Sequence, residues 1–278
     1  MITSHQSFVR RAAIGIFAVF TSASAVAAPA PAPAERGVTA SVAEAPRLGD
    51  PGFVRYLLDR VDDLHRGESS HALLQMKVQT EHWTRSMAME AWSLGRDYSL
   101  VRILEPKKER GTATLKAKDD LFTYLSKTGR TIKITGAMLG GAWMGSHFTN
   151  DDLVHGTRLA DDFEAVAAEG PTIEGAATYR ITLTPKPDAP VVWGKIDVLV
   201  RQADLLPVQE VFHDEDMRPA RRLDFADFRE AGGRSFPARM TMTPLDRPGE
   251  FTEIRYARLD FDVALERGFF TLQRLQSM

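Results

Sequence analysis

Residues 236–243 read FPARMTMT. Phe236, Ala238, Met240 and Met242 alternate with Pro237, Arg239, Thr241 and Thr243. Successive side chains of a strand point to opposite faces, so this spacing predicts a strand with one apolar and one polar face. The same period of two recurs through the chain. Leu74, Met76 and Val78 alternate with Gln75, Lys77 and Gln79, and Met87, Met89 and Ala91 follow the same rule. So do Ile132 and Ile134, Tyr179, Ile181 and Leu183, and Ile196, Val198 and Val200, whereas Tyr98–Leu104 is apolar on both parities. From Thr252 the phase slips. Ile254 and Tyr256 share one parity and Leu259, Phe261 and Val263 the other, which a bulge near Ala257 explains. Turn-forming residues separate the runs at Lys127-Thr128-Gly129, Asp214-Glu215-Asp216, Gly232-Gly233 and Arg247-Pro248-Gly249.

Two stretches break this pattern. Asp50 suits a helix N-cap and Pro51 the first helical position; Phe53, Leu57, Leu58, Val61 and Leu64 then recur at helical spacing, with Arg55, Asp59, Arg60, Asp62 and Asp63 mostly elsewhere. This predicts an amphipathic helix over Asp50–Arg66, ended near Gly67. A second helical region is expected within Thr135–Ala168. Pattern alone therefore draws a curved antiparallel sheet of about ten or eleven strands, with two helical insertions covering one face.

The N-terminus reads as an address. Arg10 and Arg11 precede an apolar run to about Val26, and Ala25-Val26-Ala27 offers small residues for cleavage. That is the layout of a secretory signal peptide over residues 1–27, too short for a good membrane span. Residues 28–49 are rich in Ala and Pro and are expected to be a disordered linker before one domain over 50–278. Cysteine is absent, so an exported chain must rely on its core, and no lipid-anchor site is offered at the cleavage point. The expectation is a soluble periplasmic monomer. The balance of 35 basic and 37 acidic residues shows no basic surface for nucleic acid.

No catalytic motif is present. Met144-Gly145-Ser146-His147 is not a nucleophile elbow, and no phosphate loop or dinucleotide fingerprint occurs. His147, Asp151, Asp152 and His155 carry metal-ligand chemistry but at no usual spacing, and Asp151-Asp152 equally suits a helix start after Asn150. Asp214-Glu215-Asp216 reads as a solvated turn. The expectation is no enzyme, no metal and no cofactor.

The segment 138–148 is different. Met138, Leu139, Trp143, Met144 and Phe148 are large and apolar, while Gly136, Gly140, Gly141 and Gly145 make a stable helix unfavourable. Greasy side chains on a weakened stretch suit a lid, because gates are drawn from elements of low stability. For the sheet wall beneath it, alternation selects Met76, Val78, Met87, Met89, Leu100, Phe122, Tyr124 and Met240 as cavity-lining residues. A slip of one residue would turn any strand over.

Several motifs resemble one family. Gly111-Thr112-Ala113-Thr114-Leu115-Lys116 with Asp120–Leu125, Met144–Leu153, Asp197–Arg201 with Leu206-Pro207-Val208, and Phe270-Thr271-Leu272 with Leu275 run in order along the chain. They are similar to the outer-membrane lipoprotein-sorting branch of the LolA/LolB-like periplasmic lipoprotein-carrier superfamily. The Gly145-Ser146…Phe148…Asp152-Leu153 match is the most specific; His147 stands there where the family usually has an acid. The resemblance implies an incomplete antiparallel β-barrel, α+β but mostly β, with helices plugging the open side. It implies a carrier whose partners are lipid or lipoprotein acyl chains, passed toward an outer-membrane acceptor. A free-lipid shuttle, for a phospholipid or hopanoid from an inner-membrane exporter of the resistance-nodulation-division (RND) type, is the alternative. A hydrolase or a structural envelope protein is the rival of another class.

Overall fold

The computed structural model describes residues 46–154 and 159–277. The expected signal peptide, nearly all of the expected linker, and His155 lie outside them. Among the described residues a helix, α1 (Phe53–Asp62), precedes six strands: β1 (Ser69–Gln79), β2 (Thr84–Leu94), β3 (Tyr98–Glu105), β4 (Ala113–Ala117), β5 (Asp120–Leu125) and β6 (Arg130–Ile134). Two short helices follow, α2 (Asn150–Val154) and α3 (Leu159–Asp162). The remaining strands are β7 (Phe163–Glu169), β8 (Thr178–Pro185), β9 (Lys195–Arg201), β10 (Pro207–His213), β11 (Pro219–Ala231), β12 (Arg234–Pro244) and β13 (Phe251–Phe261), and α4 (Leu272–Gln276) closes the chain.

All thirteen strands form one antiparallel sheet in the order β6-β5-β4-β3-β2-β1-β13-β12-β11-β10-β9-β8-β7. The sheet is mostly hairpins, and it does not close, because β6 and β7 are its two edges. Residues 135–162 cross between them in the chain. Local chemistry explains the joints. Gly232 and Gly233, at φ of 54° and 75°, make the two-residue turn between Ala231 and Arg234, a conformation other residues rarely adopt. The predicted bulge is present: Leu73 pairs Arg258 while Leu74 pairs Tyr256, leaving Ala257 as the extra residue.

The strand count exceeds the expected ten or eleven. Phe163–Glu169 was expected within a helical region; it is strand β7, paired with β8 from Phe163↔Pro185 to Glu169↔Tyr179. Its Ala and Glu content favours helix, but ladder pairing overrides that weak preference. Helix α1 begins at Phe53, not Asp50, since Gly52 at φ 86° lies in the left-handed region before it. Asp62 lies on its buried face with Phe53, Leu57 and Leu58.

The inner face of the sheet carries two apolar clusters. One packs Phe53, Leu57 and Leu58 of α1 against Ile181, Leu183, Ile196 and Val198; Leu48 also leans on it. The other joins Leu74, Met76, Val78, Met87, Met89, Ile103 and Ile254 to Trp143. The outer face carries a third. Leu100, Ala113 and Leu115 are covered there by Phe270 and Leu275 of the C-terminal strap. Thr271 caps α4 by accepting from the Arg274 amide at 3.1 Å.

Candidate functional site: a cavity with a charged end

A cavity of about 310 Å³ lies on the inner face, between the sheet, α1 and the segment after β6. That is within the size range of small-molecule sites. Its apolar wall includes Leu74, Val101, Met240 and Ile254 from the sheet, with Trp143 and Phe148 across from them. Its lining also carries charged residues, Asp62, Arg66, Lys116, Asp152 and Glu210.

The alternation-selected wall residues divide between faces. Met240 lines the cavity. Met76, Val78, Met87 and Met89 are on the same inner face, fully packed around Trp143. Leu100, Phe122 and Tyr124 are on the outer face, under the C-terminal strap. Register shows why. Leu100 pairs Leu115 and Leu115 pairs Phe122, so these three share one face, and Tyr124 opposite Ala113 follows them. The inner positions of β3 to β5 are instead Val101, Thr114, Lys116 and Leu121. On β3 both parities are apolar, and on β4 and β5 polar Thr114, Lys116 and Thr123 face inward, so hydrophobicity alone selects the wrong side.

The segment 138–148 is a compact, self-bonded clasp. Trp143 N–H donates to the Phe148 carbonyl at 2.8 Å, Asn150 N–H to Gly141 O at 3.0 Å, and Asp151 N–H to Leu139 O at 2.9 Å. Ser146 Oγ donates to Trp143 O at 2.7 Å. Met144 (φ 49°) and Gly145 (φ 69°) turn the chain sharply, and the Met144 carbonyl accepts from Arg85 Nη1 at 2.8 Å. Trp143 is buried to 6 % exposure and its Nε1 donates to Thr114 Oγ1 at 3.1 Å. Phe148, Leu139 and Met144 are half-buried and Met138 is exposed.

The family-like motif now has a mechanical meaning. Thr149 and Asp152 cap α2 reciprocally: the Thr149 amide donates to Asp152 Oδ2 at 2.7 Å and the Asp152 amide to Thr149 Oγ1 at 3.3 Å. Asp152 also accepts from Arg221 Nη1 at 2.8 Å, and Arg221 is buried over the rings of Trp193 (4.2 Å) and Phe212 (4.4 Å). One carboxylate thus caps the helix and clamps it to β11. His147 docks on the β13 edge of the clasp. Its Nε2 lies 3.1 Å from Glu250 Oε2, its Nδ1 lies 2.9 Å from Thr252 Oγ1, and its amide donates to the same hydroxyl at 3.0 Å. With Nε2 donating to the carboxylate, Nδ1 accepts from the Thr252 hydroxyl, and every polar atom is used.

These partners separate the side chains that carry metal or nucleophile chemistry. Ser146 faces a carbonyl rather than His147, His147 faces Glu250, and Asp152 faces Arg221. Among the described residues no group of three or more His, Cys, Asp or Glu comes together as a cation site. Asp214 and Asp216 both bind Arg218 in a solvated turn.

Sequence reasoning missed the charged part of the lining. Asp62 is 7 % exposed and Glu210 8 % exposed. Burial pushes the Asp62 carboxyl up to about 7. Burial, reinforced by the nearby charges of Asp62 and Asp152, pushes Glu210 up to about 8. The signal for Glu210 was available as an acid at an inward parity, paired with Val198 and Leu223.

Residues 95–277 match a family model whose description reads uncharacterized protein. No curated protein matches the chain in sequence. Among solved structures, the chain is similar to a DUF1329 family protein from Desulfovibrio piger, with a TM-score of 0.72 and 22% identity over 79% of this chain and 96% of that one. An outer membrane lipoprotein-sorting protein domain from Vibrio parahaemolyticus gives 0.69 at 20% identity, over 79% and 97%. A LolA superfamily protein from Nitrosomonas europaea gives 0.67 at 20% identity, over 79% and 98%. The family model spans well over half of the chain, so this protein belongs to that family, and its fold is that of the LolA-like, lipoprotein-sorting structures.

Proposed function

We propose that the protein is a carrier that holds the acyl chains of a lipid or lipid-modified protein in the inner-face cavity. The observation that carries this reading is the cavity itself: an apolar space between a sheet that does not close and a clasp that covers it. Acyl chains would leave water there at roughly 25 cal/mol for each Å² of apolar area buried. Met240, Trp143 and Phe148 are the contact residues in this reading, with Met76, Val78, Met87 and Met89 as the support behind Trp143. The clasp over residues 138–148 is the part that moves aside for cargo. No step of this function breaks or makes a bond.

Residues 1–27 direct export in this reading, and the carrier works in the periplasm between an inner-membrane exporter of the RND type and an outer-membrane acceptor. The signal-like N-terminus supports that location, and the lipoprotein-sorting fold supports the direction of traffic. Lipoprotein and free lipid are both cargo candidates. Native mass spectrometry of protein taken from its own cell envelope, followed by lipid extraction, decides between them. Protein that is repeatedly empty and binds no apolar dye would sink the carrier reading.

A further inference from the structure

Two acids occupy positions where apolar residues belong. Asp62 continues the buried stripe of Phe53, Leu57 and Leu58 on α1. Glu210 lies in β10 between Val198 and Leu223, both inward and apolar. They come from separate elements and border the same cavity. A buried carboxyl without a partner costs several kcal/mol in folded proteins.

Among the described residues neither carboxyl has a hydrogen-bond or ion-pair partner, and the charges of Arg66 and Arg96 near Asp62 and of Arg221 near Glu210 offset their burial only in part. Both Asp62 carboxyl oxygens are buried without a hydrogen bond. The Glu210 carboxyl, on a residue 8 % exposed, forms no hydrogen bond or ion pair among the described residues. The surrounding cations hydrogen-bond or pair elsewhere, and those near the acids act on them only at a distance. Arg221 is held by Asp152, Lys116 Nζ donates to Val154 O at 3.0 Å, Arg66 Nη1 donates to the Asp62 carbonyl at 3.0 Å, and Arg96 sits 3.3 Å from Asp161. The cavity therefore has apolar lining and, at Asp62 and Glu210, carboxyl acceptors without a hydrogen-bond donor among the described residues. Buried groups kept at such a cost, beside a cavity, mark a ligand-facing site.

We infer that Asp62 and Glu210 form a headgroup site, which receives a protonated primary amine on an otherwise apolar cargo. The inference rests on the carrier reading and adds the chemical class of what is carried. An ammonium group offers three donors to the unpartnered carboxyl oxygens and a positive charge that favours the ionised form of the acid it meets. Two sources have this chemistry: an ethanolamine-type lipid headgroup, and the free amino terminus of a diacylated lipopeptide.

The test is displacement of the uncharged dye N-phenyl-1-naphthylamine from the mature chain by dodecylamine, dodecanol and dodecanoate, which share one chain length. Dodecylamine is expected to half-displace the dye at about one tenth of the concentration the other two need. In the Asp62→Asn/Glu210→Gln variant that advantage should fall to within about twofold, with dodecanol unchanged. The variant keeps the shape and removes the two ionisable carboxyls, so it is expected to fold, and circular dichroism checks this. Equal displacement by amine and alcohol in the natural chain, or a preference that survives in the variant, overturns the headgroup site while leaving the carrier intact. A dye that does not bind, or that none of the three displaces, overturns the carrier reading and the headgroup site with it. Phosphatidylethanolamine and an S-diacylglyceryl-cysteinyl peptide, each with its N-acetylated form, separate the sources. Preference for the free amine in one of them supports the site and names the source, and absence of preference in both overturns it.

Discussion

Trp143 Nε1 donates to Thr114 Oγ1 at 3.1 Å, tying the clasp to the inner face of β4 across 29 residues of sequence. Both groups are buried, at 6 % and 3 % exposure. Trp143→Phe keeps most of the packing but strands the hydroxyl, and should cost about 1–3 kcal/mol. Trp143→Ala adds a cavity among Met76, Met87 and Met89 and should cost about 3–5 kcal/mol. Urea denaturation measures both. Equal losses from the two variants would show that the ring contributes little beyond its hydrogen bond.

His147 Nε2 lies 3.1 Å from Glu250 Oε2, so the clasp holds a histidine against an acid at this point. An aspartate at 147 would lose the hydrogen bond to Glu250 and place a like charge near its carboxylate. His147→Asp should therefore speed amide hydrogen exchange at residues 146–148 more than His147→Ala does. Adding Glu250→Gln should bring the rate back to the alanine level or below. No rescue would place the cost elsewhere.

Arg221 and Asp152 form a buried pair that also holds the cap of α2. Removing one partner leaves the other charge buried. Asp152→Asn and Arg221→Met should each cost about 3–5 kcal/mol, and the double variant clearly less than their sum. A thermodynamic cycle from denaturant melts reads the coupling; additive losses would argue that Asp152 matters only as a cap.

Stability should fall as pH rises from about 6.5 to about 8. The raised carboxyls of Asp62, at about 7, and Glu210, at about 8, keep protons in the folded state that the unfolded chain releases near pH 4. Between these values the folded state binds more protons, so each group removes about 1.4 kcal/mol per pH unit until its own pKa is passed. Buried His65, pushed down to about 4 by desolvation, works in the opposite direction but only below about pH 6.5, where the unfolded imidazole takes up a proton. The urea midpoint of the natural chain should thus decline across this window, and Glu210→Gln should flatten the upper part. A midpoint that rises would contradict the protonated pair.

Much of the sheet was legible because strands with one polar face announce their parity. FPARMTMT and its relatives fall where expected, and even the Ala257 bulge follows from a change of phase. The failures share a cause. Leu100 sits in a strand apolar on both parities, and Phe122 and Tyr124 sit in one whose outer face is covered by a strap from the far end of the chain. Local pattern cannot report such long-range cover. Phe163–Glu169 hides as helix because its Ala and Glu content outweighs a faint alternation. Asp62 and Glu210 escaped for a related reason: Asp62 was set with the charged residues away from the apolar stripe and Glu210 was not singled out, and only their position against other elements shows them turned inward. The clasp was legible as unusual, but its glycines and Ser146 build a tight, well-bonded turn that spacing does not show.

The two free margins of the sheet, β6 and β7, are linked in the chain by the stretch that carries Trp143, His147 and Asp152. Its ties to Thr114, Thr252 and Arg221 reach β4, β13 and β11, so one short stretch is fastened to three separate strands of the sheet.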